Sequence, residues 1–412
     1  MVTPILGKVK EKAYVVPGDS NPTVAKNFRG VFPDIHDKIF IPESALPMVP
    51  GGFAAQEVDG VADNNRSLII PGMGVELSPH RYFLEIKGIG SRSSMFGFSS
   101  LDRPGGNTPH PGGTMTEHWR QRTYSKPVMT GESWFGSSPY GAAGKEASVD
   151  SVKITDMAGD GDLPTCINGF WICPVIAFNE MPSWLVDAFK GRYWYRRYRH
   201  GWFQQLRLIP SDIRLYFSSD ATLGVNAQHV LKAFEIDTHE KLDGFIDNFI
   251  SSGIAALTLG ARTIKKVENS FSLLDYDDVW LDKDSLIAPD GTIHFADIDD
   301  IEWMPYPDES AARRKIEKQF ERNYFEFMFG LDSLISQRDR MSERLPSMAG
   351  RREDLALRYE MALSADRVVK TERTGASLDM IVRPKDGCLD ELSIRLVDFC
   401  ADDIGGESHE LR

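Results

Sequence analysis

Asp297, Asp299, Asp300 and Glu302 stand close together directly after a short apolar run, Ile293 to Ala296. Aspartate is depleted in strands, so carboxylates gathered at a strand exit need a physical reason. A hard divalent cation supplies one: Mg²⁺ takes oxygen ligands, usually one or two carboxylates together with substrate phosphates. Just upstream lie another apolar segment, Val279-Trp280-Leu281, and a turn signal, Pro289-Asp290-Gly291. Together they form the pattern of a hairpin that delivers carboxylates to its exit. Asp297 and Asp299 face the same side if the strand continues. Two carboxylates held side by side repel unless a cation or a basic group lies between them. The plainer reading of the same residues is a surface hairpin with a solvated acidic turn.

A second group lies in the first half of the chain. Pro71-Gly72-Met73-Gly74 precedes Tyr82-Phe83-Leu84-Glu85-Ile86-Lys87. A lysine that ends an apolar strand carries its charge to the strand's exit, where it can pair with phosphates. Gly144-Lys145-Glu146 then offers a helix start, which would bring Glu146 towards Lys87. Taken singly, Lys87 is a surface strand-end lysine and Glu146 a solvated carboxylate favoured by the helix dipole. Their order around a strand and a helix start is what joins them.

The elements that must position these residues fall into blocks. Residues 1–67 are rich in Pro, Gly and short apolar runs and read as an N-terminal extension of strands and loops. Residues 68–180 read as a β-rich lobe, with strands expected at 68–70, 82–86 and 170–178. A Gly/Pro/Ser-rich stretch from Ser91 to about Tyr140 interrupts that lobe and reads as a long loop. From Pro182 the pattern turns helical, and residues 181–370 are expected to form a mainly helical lobe that carries the acidic hairpin. A helix is expected from Ser183 to Arg192. Leu242, Phe245, Ile246, Phe249 and Ile250 repeat at helical spacing. Further helices are expected over 307–344 and 351–365, and residues 371–412 form an appendage with a strand at 392–399.

With 42% apolar and 26% charged residues, the 412-residue chain has an ordinary globular composition. A net charge of −13 argues against a general nucleic-acid binder. The basic stretch 190–214, with Arg196, Arg197, Arg207 and interleaved aromatics, is read as an interlobe helix whose aromatics are core and whose arginines pair with carboxylates. Four cysteines show no paired or zinc-type spacing and suit a reducing compartment, and Cys173 reads as a core thiol. His200 and His229 have no ligand companions at useful spacing. No apolar run approaches a membrane span, so a soluble, cytoplasmic protein is expected. Signatures of P-loop, zincin, serine-hydrolase and dinucleotide-binding sites are absent.

In element order, roughly residues 68–335 resemble the atypical branches of the protein-kinase-like fold. The nearest likenesses are selenoprotein O-like pseudokinases, HipA-type kinases and aminoglycoside phosphotransferases. The resemblance implies a two-lobed α+β kinase-like core, with a hinge near Asn179-Glu180-Met181-Pro182, that binds ATP and Mg²⁺. It makes Lys87 the phosphate-binding lysine, Glu146 its helix partner, and Gly72 and Gly74 a reduced glycine loop. Asp278 takes the place of the family's metal-binding Asn. Asp297, with Asp299 beside it, takes that of the metal-binding Asp after the second hairpin strand. The family's catalytic loop is not matched: Leu273 stands where the base belongs, and Asp275 or Asp277 would have to act from a shifted position. The implied partners are a nucleotide and a protein or small-molecule acceptor. A non-catalytic interaction protein on the same scaffold is the alternative.

Overall fold

The computed structural model describes residues 10–18, 21–64, 67–89, 142–161, 163–186, 201–213, 231–276, 284–299, 301–316 and 318–319, and the backbone of strands over 368–374, 377–382 and 392–397. Strands β1 (Lys10–Pro17), β2 (Thr23–Val24), β3 (Lys38–Pro42) and β4 (Gln56–Asn64) open the chain. Then come β5 (Ser67–Leu77), β6 (His80–Lys87) and helix α1 (Lys145–Gly159). Short strands β7 (Cys166–Ile167) and β8 (Phe170–Ile172) lead to β9 (Val175–Glu180), helix α2 (Ser183–Val186) and β10 (Phe203–Ile209). Helices α3 (His239–Leu257) and α4 (Leu259–Thr263) precede β11 (Lys265–Val267) and β12 (Ser270–Asp275). The hairpin strands β13 (Ser285–Ile287) and β14 (Ile293–Phe295) follow, then β15 (Glu302–Tyr306). Strands β16 (Val368–Thr374), β17 (Ser377–Val382) and β18 (Leu392–Val397) form a three-stranded sheet near the C-terminus.

The dominant feature is an eight-stranded antiparallel sheet in the order β2-β9-β10-β6-β5-β4-β1-β3. The β6 sequence shows why it sits near the middle. All of its side chains except Arg81 are buried, so both faces are covered. The sheet also crosses two boundaries expected from composition. β4 pairs with β5 across residue 67, and β10 returns antiparallel to β9 beyond residue 180. Strand pairing ignores a shift in Pro and Gly content, because it is decided by which apolar faces can be covered together.

Helix α1 packs on this sheet through Ser148, Ser151, Val152, Thr155 and Ala158, which share one face. Its hydroxyls are used twice over. Thr155 Oγ1 donates to the Ser151 carbonyl at 2.9 Å and accepts from the Val175 amide at 2.9 Å, tying α1 to β9. Helix α3 has the stripe expected from its sequence: Leu242, Phe245, Ile246, Phe249 and Ile250 are all buried. Thr238 caps its N-terminus, accepting from the Lys241 amide at 3.2 Å.

The stretch 181–370 is not mainly helical among the described residues. Besides α2, α3, α4 and a helical run over 309–316, it contributes strands β10 to β15. Short apolar runs bounded by turns, such as Phe271 to Leu274, form pairs too small to register as a lobe of strands in the sequence. The molecule is therefore of mixed α+β class. No described helix is long and apolar enough to cross a membrane.

Candidate functional site

The acidic hairpin forms, with its first strand at β13; the apolar segment 279–281 lies outside the described residues. β14 also pairs in parallel with β8, so the hairpin belongs to a second sheet of order β13-β14-β8-β7. Its turn is pressed onto helix α3. Gly291 has φ +98°, and a Cβ there would stand 2.1 Å from the Phe245 carbonyl oxygen. Asn248 Nδ2 donates to the Asp290 carbonyl at 2.9 Å, and the Ile293 amide donates to Ser252 Oγ at 2.9 Å. The helix thus fixes the hairpin's turn. At the opposite, open end the Ala296 and Asp297 amides both point at the Asp284 carbonyl, at 2.7 and 3.4 Å.

Asp297 leaves the hairpin and meets Lys87, 210 positions earlier in the chain, in a direct ion pair. Lys87 is buried at the end of β6 and Asp297 is about a quarter exposed, so the pair sits at the rim of the interior. A second cation reaches the same carboxylate: Arg207 Nη1 lies 3.8 Å from Asp297 Oδ1 and donates to the Ala296 carbonyl at 2.7 Å. Arg207, on β10, is itself ion-paired through Nε to Glu85, its register partner on β6. Glu85 and Lys87, two residues apart, share one face of β6, which brings all four charges together. Burial alone would pull the Arg207 guanidinium down. The charge and hydrogen bond of Glu85, with Asp297 adding to them, outweigh it and hold Arg207 firmly protonated. Among the described residues the group contains two cations and two carboxylates, whose formal charges cancel.

Glu146 does not reach this site. It is exposed in the first turn of α1 and is bonded to no other described residue. The reason is helix rotation. Ser148 lies on the buried face, and a residue two positions away points about 200° round the helix. The helix start is nevertheless nearby, because Gln205, opposite Lys87 in the sheet, donates to Ser148 Oγ at 3.1 Å. Gly72 and Gly74 lie inside β5, where the register with β6 shifts between Ile70 and Gly74. They serve a strand irregularity and do not form a loop. A side chain at Gly74 would press on the Tyr82 carbonyl oxygen at 3.3 Å.

Asp275 is buried and fully engaged. It is paired with Lys315 at 2.9 Å, and it accepts from Tyr306 Oη at 2.7 Å and from Gln319 Nε2 at 2.6 Å. It joins β12, β15 and the helical run after them. Asp299 is half-buried beyond the strand's end, in a turn, so its side chain is not set by strand alternation against that of Asp297. Asp277 and Asp278 lie outside the described residues, as do Asp300, His200, His229 and residues 190–200 and 214 of the basic stretch. Cys173 is buried in the core.

Sequence reasoning missed Glu85 and Asp284, and it names Arg207 only as one of several arginines that pair with carboxylates. Glu85 and Arg207 left a signal: a glutamate and an arginine inside strands that are otherwise apolar need each other as partners. Asp284 left only its place, immediately ahead of the first hairpin strand. No family model matches the chain, and no curated protein or solved structure is significantly similar to it.

Proposed function

We propose that this chain is a kinase-like protein that binds ATP with Mg²⁺ and transfers a phosphoryl or nucleotidyl group. The observation that carries the reading is the meeting of Lys87 with Asp297. A buried strand-end lysine and a carboxylate at the exit of a β-hairpin are the two charges that such chemistry must bring together. The order of elements supports it: a meander β4-β5-β6, then helix α1, then β9 and β10 returning beside β6, then α3 and the hairpin.

In this reading Lys87 holds phosphate oxygens, and Asp297 holds Mg²⁺ beside them. The resemblance gives a second metal-binding role to Asp278, which lies outside the described residues; Asp284, whose backbone carbonyl is bonded by the two amides leading into Asp297, stands at the same exit. Among the described residues no group of three or more His, Cys, Asp or Glu side chains could cage a metal. One or two carboxylates suit Mg²⁺ that arrives with nucleotide phosphates. The bound metal would neutralise charge on the transferred group. With Asp275 held by three partners, activation of the acceptor falls to Asp277. The acceptor is a protein or a small molecule.

The second reading, a non-catalytic scaffold that binds no nucleotide, draws on the same ion pair: Lys87 and Asp297 already neutralise each other without any ligand. A thermal-shift experiment separates the two. At 100 times its dissociation constant, ATP with Mg²⁺ stabilises the fold by about 2.7 kcal/mol under the first reading, and Mg²⁺ alone does little. Asp297→Asn abolishes the metal-dependent part of that shift. A wild-type protein indifferent to ATP with Mg²⁺ leaves only the scaffold reading.

A further inference from the structure

We infer that Arg207, locked by Glu85, is the positioning residue for Asp297: it holds the metal-binding carboxylate in place and so frees Lys87 to move to the nucleotide phosphates. The inference rests on the nucleotide-binding reading above and adds a residue pair to it.

In the structure Asp297 is shared by two cations that are held very differently. Lys87 is a point charge on a flexible stem, in direct contact with the carboxylate. Arg207 is a planar fork with its geometry fixed on two sides. Its Nε is bound to Glu85, which is fully buried, and its Nη1 donates to the carbonyl of Ala296, the residue before Asp297. Arg207 therefore fixes the backbone leading into Asp297 and stands 3.8 Å from the carboxylate, a looser contact than the direct pair with Lys87. A cation that reached Asp297 would displace Lys87, the closer and looser partner, while Arg207 kept the carboxylate's approach unchanged. The free Lys87 ammonium would then be left beside the newly bound phosphates.

Glu85 gives the arrangement its rigidity. It lies opposite Arg207 in adjacent central strands, so the pair is set by sheet register and not by a loop or by the exposed start of α1. Its charge also cancels that of Arg207. Without it the guanidinium would be drawn onto Asp297 and would compete with a metal there.

The test uses Mn²⁺ as a spectroscopic stand-in for Mg²⁺, with ATP, on the full chain. The double variant Glu85→Leu/Arg207→Leu removes both buried charges together. Apolar replacement of a buried pair is often tolerated or stabilising, so this variant keeps the protein folded. The free-Mn²⁺ signal in electron paramagnetic resonance gives the metal's dissociation constant in the presence of ATP. The expected result is at least tenfold weaker Mn²⁺ binding with ATP, while metal-free ATP binding, which depends on Lys87, changes little. Arg207→Lys, which keeps the charge and loses the fork, is expected to show the same loss. A merely structural pair would change the melting temperature and leave the Mn²⁺ constant alone. Wild-type binding of Mn²⁺ with ATP, matched within twofold by the folded double variant, overturns the positioning role and leaves the nucleotide-binding reading standing. A wild-type protein that binds neither ATP nor Mn²⁺ with ATP overturns both.

Discussion

At the scale of single residues, the two aspartates that the sequence offered for chemistry have different fates. Asp297 is about a quarter exposed and shared by two cations, a state in which a carboxylate can change partners. Asp275 is buried, with an ion pair and two further hydrogen bonds absorbing its oxygens. Asp275→Asn would take the Asp275 charge away from Lys315 and set an amide NH₂ against a donor. Breaking one side of a buried pair costs roughly 3–5 kcal/mol. The expected outcome is therefore a loss of about 3 kcal/mol in urea unfolding, with the metal-dependent ATP binding that we propose retained in the folded fraction. Unchanged stability together with lost transfer activity would return Asp275 to a catalytic role. Arg207 makes the complementary point. It belongs to the basic stretch whose arginines are expected to pair with carboxylates, and it does so: it is buried and bound to Glu85, so its charge is spent inside the protein.

At the scale of elements, the site depends on one contact between a turn and a helix. The hairpin turn can lie against α3 only because residue 291 has no side chain and adopts φ +98°. Gly291→Ala would place a methyl on the Phe245 carbonyl and strain the left-handed backbone at the same time. A loss of roughly 2–4 kcal/mol in unfolding free energy is expected, by the combined cost of overpacking and strain. The turn would also lift from α3 and carry Asp297 with it, so metal-dependent ATP binding should weaken as well. Wild-type stability in this variant would mean that the turn can leave the helix freely, and the proposed anchoring of Asp297 would fall. The displaced Glu146 belongs to this scale too. Spacing along a helix fixes which residues share a face, but the packing of Ser148, Ser151 and Thr155 chose which face turns inward.

At the scale of the molecule, the two main sheets meet at a buried group of histidines. His80 on β6 and His294 on β14 both contact Thr292 Oγ1, at 3.2 and 2.9 Å, and the His80 ring packs against Trp171 of β8. Burial holds His294 well below the ordinary histidine range, and the neighbouring His80 lowers it further. Burial also lowers His80, against an opposing pull from Asp290, 3.5 Å away. Both are therefore neutral in the folded protein near neutral pH. In the unfolded chain they take up protons as the pH falls through about 6.5, before the folded protein does. Protons bound preferentially by the unfolded state favour unfolding, so stability is full above about pH 6.5 and falls as the pH drops below it. Each such proton contributes a slope of about 1.4 kcal/mol per pH unit. Melting temperatures measured from pH 8 to pH 5 should be flat at first and then decline. The decline should be shallower in His294→Gln, and an unchanged slope there would place the acid sensitivity elsewhere.

The sequence by itself determined the mixed α+β class, the apolar stripe of α3, the strand ending in Lys87 and the hairpin ending in Asp297. Each of these follows from residues near one another in the chain, through helical or strand periodicity and turn chemistry. Only the tertiary structure decided the partnerships. Lys87 met Asp297 and not Glu146, Asp275 was drawn into a structural network, and Glu85 became the carboxylate with which Arg207 joined the site. The reason is that a charge's partner depends on sheet register, helix rotation and burial together. For Lys87 and Asp297 those were settled by packing that joined positions 210 residues apart.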